Sequence, residues 1–426
     1  MSRAAPFPLT PDWCAEGPRR SRGSARATAV LSFGLVANLV TLMTFAATLH
    51  EIAVDWSLDA TQSGWIGGIY FAGYAVAVPF LAGATDRMDG RWLYVGSALV
   101  GATASIAFAL FAHSFGVALV LRFIGGIGLA GVHMPGLNLL MDRIDRSYQG
   151  RAAGIYTSSY AVGSAASFLI AGLVDAAFGW RATFIAAGVG PILSICALAL
   201  LPACSVERKS GQARPAFRAL LRNRALIAYV AAFVGNTWEV FAVRVWFVAY
   251  LSWTLSLPGN HLTLPALGLV AGVASLLGVP ASVAMAEVAS RCGRRPVIIS
   301  ICLLSVATCF ALAATAGGST WIVFALLVLV QITSFADVGA LAGGAVAAAD
   351  PAQRGAALAL YALSGFTTGF LGPVAVGMTL DWFGGAASAS GWRAGFIVIA
   401  AGSAVAAWAV WQAREPLERN NALPVP

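Results

Sequence analysis

The chain has 426 residues, 59% of them hydrophobic and only 10% charged, with a mean hydropathy of +0.80 and a formal net charge of +8. Such a chain has too little polar surface to be soluble, so its apolar surface faces lipid. The positive charge is divided among short segments instead of forming one patch, which excludes a nucleic-acid footprint.

In chain order, apolar runs each long enough to cross a hydrocarbon core of about 30 Å predict helices at 28–49, 62–82, 92–112, 116–140, 152–176, 182–202, 225–251, 264–286, 296–316, 321–346, 355–380 and 392–411. Continuous apolar runs, as opposed to short alternating ones, predict helices and not a barrel, because lipid-exposed backbone must satisfy its own hydrogen bonds. The 46 glycines let such helices approach closely. The expected organisation is an N-terminal tail (1–27), a six-helix bundle (28–202), a polar linker (203–224), a second six-helix bundle (225–411) and a C-terminal tail (412–426).

Of the 26 Lys and Arg residues, 22 fall in the two tails and one alternate set of loops. The opposite loops hold only Arg181 and Arg393. By the positive-inside rule both termini are expected in the cytoplasm, with the basic loops against anionic lipid. The run after Arg19-Arg20 is long enough to span the membrane and lacks a cleavage region, so it is read as a helix and not as a twin-arginine signal. The six cysteines show neither a disulfide framework nor a zinc spacing.

The sequence repeats itself. Gly179-Trp180-Arg181-Ala182-Thr183-Phe184 recurs as Gly391-Trp392-Arg393-Ala394-Gly395-Phe396, displaced by 212 residues. Asp86-Arg87-Met88-Asp89-Gly90-Arg91 answers Ser290-Arg291-Cys292-Gly293-Arg294-Arg295, and Gly90 to Gly293 and Arg151 to Arg354 are both 203 apart. Asn38 follows Arg26 by 12 residues, as Asn236 follows Arg224, so helices one and seven are equivalent. Six helices per repeat make the two copies parallel.

On these motifs the chain resembles the major facilitator superfamily over nearly its whole length. The loop between helices two and three is similar to that family's Asp-Arg-x-Gly-Arg cluster, but has Ala82 where glycine is usual and one extra residue before Gly90. The second copy has Ser290 in place of the acid. Helix four carries Arg122, Gly126, Gly128 and Ala130, similar to the family's Arg-x3-Gly-x-Gly-x-Ala pattern. The resemblance implies an all-α membrane protein of 12 helices in two pseudo-symmetric bundles. It also implies a gating role for Asp86, Arg87, Gly90, Arg91, Arg291, Gly293 and Arg294, as a latch that stabilises one of two alternating states; the alternative is that Arg87 and Arg91 only enforce topology. The formal GxGxxG at Gly126–Gly131 has neither strand nor βαβ unit around it and reads as helix packing.

Ionisable residues within helices each cost about 2.5–3.5 kcal/mol near the bilayer centre, so each needs compensation. Those in the chain are Arg122 in helix four, Glu239 and Arg244 in helix seven and Asp337 in helix ten. The resemblance places these helices, with helix one, around a central cavity. Arg244 lies five residues beyond Glu239, about 140° around the helix, so the two make no comfortable pair. Asn236 shares Glu239's face, and Asn38 is its counterpart on helix one. Arg122 lies about 10 Å deep, at a level similar to Gln331, and both are expected to meet Asn38 and Glu239 around one chamber. Two readings stand: Arg122 or Arg244 holds a substrate anion while Glu239 or Asp337 exchanges a proton, or Arg122–Glu239 and Arg244–Asp337 are structural ion pairs. His133 is read as structural. Trp65, Trp238, Trp246 and Trp253 are interfacial anchors or cavity walls, with Trp238 a candidate for the substrate path and Trp253 an anchor.

These readings lead to a secondary active transporter of a small organic solute, plausibly an anion, working by alternating access as a monomer. It is expected to need no cofactor beyond a proton gradient. Helix five lacks the Gly-Pro that many proton-exchanging drug exporters carry, while Gly372-Pro373 stands in helix eleven; this weighs against multidrug efflux, which remains the alternative together with a non-transporting sensor. An enzyme is not expected, since HExxH, GxSxG and phosphate-loop motifs are missing.

Overall fold

A computed structural model describes residues 17–85, 89–201, 217–258, 260, 266–350 and 353–412. Among these residues there are fourteen helices and no strand: α1 Gly17–Leu39, α2 Thr44–Asp55, α3 Ala60–Thr85, α4 Gly90–Phe111, α5 Phe115–Met141, α6 Arg146–Ala199, α7 Phe217–Arg222, α8 Arg224–Leu255, α9 Leu267–Cys292, α10 Arg294–Thr315, α11 Thr320–Ala336, α12 Val338–Ala348, α13 Arg354–Trp382 and α14 Ala389–Gln412.

Twelve crossings follow from these helices, with three departures from the predicted elements. The first crossing is broken, since α1 and α2 are separated by a turn at residues 40–43. The tenth is interrupted at Asp337, between α11 and α12. The fifth and sixth run together as α6, whose apolar span of 52 residues is about 78 Å long, more than two bilayer cores. Gly179, at φ 76° and ψ 171°, breaks it into two passes. The expected linker contributes the short helix α7, and α1 begins at Gly17, ahead of the predicted first helix.

Helix starts are written locally. The Asp89 carboxylate accepts from the Arg91 N–H at 2.9 Å to begin α4, and Asn223 Oδ1 accepts from the Leu226 N–H at 3.0 Å to begin α8. Gly293, at φ 90°, both ends α9 and begins α10, a backbone position that favours glycine.

The two six-helix halves meet along α3 with α13 and along α6 with α9, through small residues that let backbones touch. A methyl added at Gly64 would lie 2.5 Å from the Pro373 carbonyl oxygen, one at Gly68 2.5 Å from the Phe370 oxygen, and one at Gly172 2.5 Å from the Leu269 nitrogen. Gly64, Gly68, Gly172 and Leu269 all sit on the side of the bundle opposite the chain termini, so this far side is the closed one. Trp382, Phe178 and Phe80 face outward, exposed by 75% or more, as lipid-facing side chains do.

Candidate anion and ion-coupling sites

Arg122 lies on α5 at the break in the first crossing. The turn at residues 40–43 leaves carbonyls without helical partners, and the guanidinium supplies donors: Nη1 to Thr41 O and Nη2 to Leu42 O, both at 3.2 Å. It stacks on the Tyr70 ring with its carbon 4.4 Å from the centroid. Tyr70 in turn bonds Thr41 Oγ1 at 3.0 Å. Beside the arginine is a cavity of about 10 Å³ lined by Thr41, Tyr70, Ser105, Phe108, Arg122 and Phe184 among others, room for a single water. Arg122 therefore works mainly for the helix break.

Arg244 differs. It is 2% exposed on α8 at the seam between the halves. Nη1 donates to Ser164 Oγ of α6 at 2.9 Å, and the guanidinium lies 5.0 Å from the centroid of Phe335 on α11. Among the described residues no carboxylate is hydrogen-bonded or salt-bridged to it. Around the same seam stands an aromatic cluster drawn from both halves: Phe71 and Tyr74 of α3 lie 4.0 Å, centroid to centroid, from Phe241 of α8 and Phe366 of α13 respectively, and Tyr160 of α6 lies 6.4 Å from Phe366. His133 bonds the Tyr74 hydroxyl through Nδ1 at 2.8 Å.

The two acids face the interior of the C-terminal half. Glu239, wholly buried on α8, accepts from Ser305 Oγ of α10 at 2.5 Å and from Ser403 Oγ of α14, with Cys309 Sγ at 3.9 Å. Asp337, at the α11/α12 break, accepts from Asn236 Nδ2 at 2.7 Å and Cys302 Sγ at 3.5 Å. Asn236 Nδ2 also bonds Ser334 O at 2.8 Å, and Ser305 Oγ bonds Thr333 Oγ1 at 2.9 Å, so each carboxyl has its own polar cluster and the two clusters reach adjacent residues of α11.

The predicted single chamber is thus divided. Neither Arg122–Glu239 nor Arg244–Asp337 forms an ion pair; each arginine has the carbonyl, hydroxyl and aromatic partners given above, and each acid has hydroxyl, thiol or amide donors. Asn38 Nδ2 turns back to Gly34 O at 2.8 Å, and Gln331 Nε2 bonds Ser275 Oγ of α9 at 2.6 Å, so neither meets Arg122 or Glu239. Trp238 Nε1 bonds Val398 O of α14 at 2.9 Å, within its own half. The cause is helical phase: residues at one depth on different helices meet only when their faces do.

Of the gating loop, Asp86 and Arg87 lie outside the described residues. Gly90 opens α4, and Arg91 Nη2 donates to Leu201 O. In the second copy Arg291 pairs with Glu287 on its own helix at 2.6 Å, Gly293 joins two helices, and Arg294 starts α10 beside Gly343. Sequence reasoning missed Ser164, Ser305, Thr333 and Ser403. One signal was present: Cys302, Ser305 and Cys309 stand at i, i+3 and i+7, a polar stripe on one face of α10.

A sequence profile of the Major Facilitator Superfamily matches residues 29–259 and 245–426. The niacin transporter NiaP of Acinetobacter baylyi is 30% identical over 34% of this chain and 33% of its own length. The probable L-galactonate transporter of Escherichia coli is 25% identical over 65% of this chain and 64% of its own length. The chain thus aligns with less than two thirds of either relative. Among solved structures, a bacterial homolog of the human lysosomal transporter Spinster, inward-facing and occupied, superposes with a TM-score of 0.77 at 16% identity, covering 94% of this chain and 97% of that one. That likeness shows the same fold: a multi-pass membrane protein of two six-helix bundles.

Proposed function

This chain belongs to the Major Facilitator Superfamily, and from that membership we propose that it carries a small organic carboxylate across the membrane by alternating access, coupled to protons, with Arg244 as the cation that holds the anion. One observation carries the reading: Arg244 is buried at the seam between the halves with a serine hydroxyl and a phenyl ring for partners and, among the described residues, no acid. A buried cation left without a counter-charge is costly, and a substrate carboxylate supplies the missing charge as a bidentate partner. The aromatic cluster of Phe71, Tyr74, Phe241 and Phe366 provides faces for the substrate's body. Niacin and L-galactonate, the substrates in the names of the two relatives, differ in ring and hydroxyls but share a carboxylate.

Glu239 and Asp337, on the interior side of the same half, are the proton-exchanging groups, and the distribution of basic residues among the loops supports a cytoplasmic side for both termini. The protein acts without a cofactor and as a monomer.

Uptake of radiolabelled nicotinate and L-galactonate into proteoliposomes tests this. Saturable entry of at least one, accelerated by an inward proton gradient and lost in Arg244→Ala, is expected. Binding without flux would make the chain a sensor, and flux indifferent to the gradient would remove the proton.

A further inference from the structure

We propose that Tyr160 is the specificity-determining residue of the Arg244 site: its hydroxyl bonds a polar atom on the substrate's ring, so that the chain selects flat ring carboxylates bearing such an atom over polyhydroxy acids. This rests on the reading of Arg244 as the cation that holds the anion, and it names the class of carboxylate held there.

Tyr160 carries an unpartnered hydroxyl. Its oxygen is buried with no hydrogen bond among the described residues, although the residue as a whole is only partly buried. Buried polar groups are rarely left so. The groups within electrostatic reach of it are Arg244, Tyr70 and Tyr74, and each is bonded elsewhere. Arg244 Nη1 donates to Ser164 Oγ at 2.9 Å, Tyr70 pairs with Thr41 Oγ1 at 3.0 Å, and Tyr74 pairs with His133 Nδ1 at 2.8 Å. Tyr250 and Tyr361 also have unpartnered hydroxyls, but their rings pack against Trp392 and Phe233 inside the C-terminal half. Tyr160 stands instead at the seam, between His133 of the N-terminal half at 5.1 Å and Phe366 of the C-terminal half at 6.4 Å, centroid to centroid.

Its position on α6 sets what the hydroxyl meets. Tyr160 precedes Ser164 by four residues, so the two share one face of the helix, about 6 Å apart along its axis. Ser164 takes one donor of the guanidinium, and a carboxylate on the donors that remain has the Tyr160 hydroxyl about one six-membered ring away. A tyrosine hydroxyl both donates and accepts, so a ring nitrogen or a ring hydroxyl satisfies it. The walls on either side, His133 and Phe366, are themselves rings, and such faces favour a flat body that stacks on them. A polyhydroxy acid fits poorly. It brings a hydroxyl on nearly every carbon into a seam of aromatic faces, and each one buried without a partner is penalised.

Calorimetric titrations of the purified full-length protein with nicotinate, isonicotinate, benzoate and L-galactonate test this. The first three share a flat ring and a carboxylate and differ in the ring nitrogen, which is meta, para or missing. In the wild type nicotinate or isonicotinate should bind about ten-fold tighter than benzoate, and L-galactonate more weakly than benzoate. Tyr160→Phe should reduce that ten-fold preference to about one, with the melting temperature held, since no protein group loses a partner. Wild-type affinities no tighter for either pyridine acid than for benzoate, a preference unmoved by Tyr160→Phe, or L-galactonate binding tighter than benzoate overturns the proposal. The wild-type comparison decides even where the variant fails to fold. Binding that needs Arg244 but ignores Tyr160 defeats the specificity role alone, whereas binding undiminished in Arg244→Ala, or no binding of any of the four, defeats the carboxylate reading and the role of Tyr160 with it.

Discussion

Asp381, in the last turn of α13, caps the first turn of α3 through Thr61, accepting from its backbone N–H at 2.7 Å and its hydroxyl at 2.6 Å, with the Ala60 N–H at 3.0 Å alongside. This clasp joins the two halves on the far side, where Gly64 and Gly68 already press against the α13 backbone. A carboxylate at a helix N-terminus is favourable both for its hydrogen bonds and for the helix dipole. Because Asp381 is exposed, water screens part of that gain, and about 1 kcal/mol is a fair expectation, a five-fold change in a two-state ratio. Asp381→Ala should therefore increase the fraction open on the far side about five-fold. Electron–electron distance measurements between spin labels at Val54 and Phe383, both exposed on that side, should show a longer-distance population growing in the variant.

Arg122 and Arg244 should fail in different ways. Removing Arg122 leaves the carbonyls of Thr41 and Leu42 at the helix break without donors, a cost of about 1–3 kcal/mol for each buried group. Arg122→Ala should lower thermal stability in detergent. Removing Arg244 takes away a side chain bound to one serine hydroxyl, so Arg244→Ala should leave stability nearly intact while weakening nicotinate binding by 2 kcal/mol or more, about 30-fold. Melting curves and equilibrium binding on the same two preparations separate the cases; equal loss of stability would refute the division of roles.

The repeat and the hydropathy runs were enough to read twelve crossings, their order and their pairing into halves, because lipid imposes length and internal hydrogen bonding on every span. The breaks were less legible. The turn at residues 40–43 contains Val40, Thr41, Leu42 and Met43, with no proline or glycine; it depends on Arg122, 80 residues away, to satisfy Leu42 O, and on Ser167, which bonds Val40 O and the Met43 N–H. Depth along a helix put Arg122 and Gln331 at a similar level, but depth says nothing of azimuth. Whether an acid looks into the seam or into its own bundle is decided by which neighbouring helix offers donors, and the hydroxyls of Ser305 and Ser403 lie far from Glu239 in sequence. The site residues were thus legible by type and level, and their grouping was not.

The glycine seam makes its own prediction. A Cβ on Gly68 would stand 2.5 Å from the Phe370 oxygen and 3.2 Å from its ring, and backbone cannot yield as a flexible side-chain end can. Gly68→Leu should keep α3 and α13 apart, hold the far side open and abolish nicotinate uptake while the protein still inserts and remains monodisperse. The Val54–Phe383 label pair should read long in this variant, to a greater degree than in Asp381→Ala. A short distance in Gly68→Leu would show that the seam tolerates a side chain.

Gly179 tests the break between the fifth and sixth crossings. Its φ of 76° and ψ of 171° fall in a region that is essentially open only to glycine. No atom lies within 4 Å of an added Cβ, so a substitution there is opposed by backbone strain and not by crowding. The turn it makes directs Trp180 Nε1 to Asp55 at 2.8 Å and Arg181 Nη1 to Ala109 O at 2.7 Å, pinning the start of the sixth crossing to α2 and α4. Gly179→Ala should cost about 1–3 kcal/mol, read as a lower melting temperature. Gly154, exposed within the same helix and also without neighbours within 4 Å, is the control: Gly154→Ala should be neutral or slightly stabilising, by up to about 1 kcal/mol. The repeat sharpens the contrast, because the matching Gly391 is helical in α14 and the reversal falls instead on Gly384 and Gly385, at φ 105° and 85°. A Cβ on Gly391 would meet the Gly385 oxygen at 2.7 Å, so Gly391→Ala should also destabilise, through contact. Shortening the Gly385 side of that turn should relieve Gly391→Ala, whereas nothing outside residue 179 should relieve Gly179→Ala.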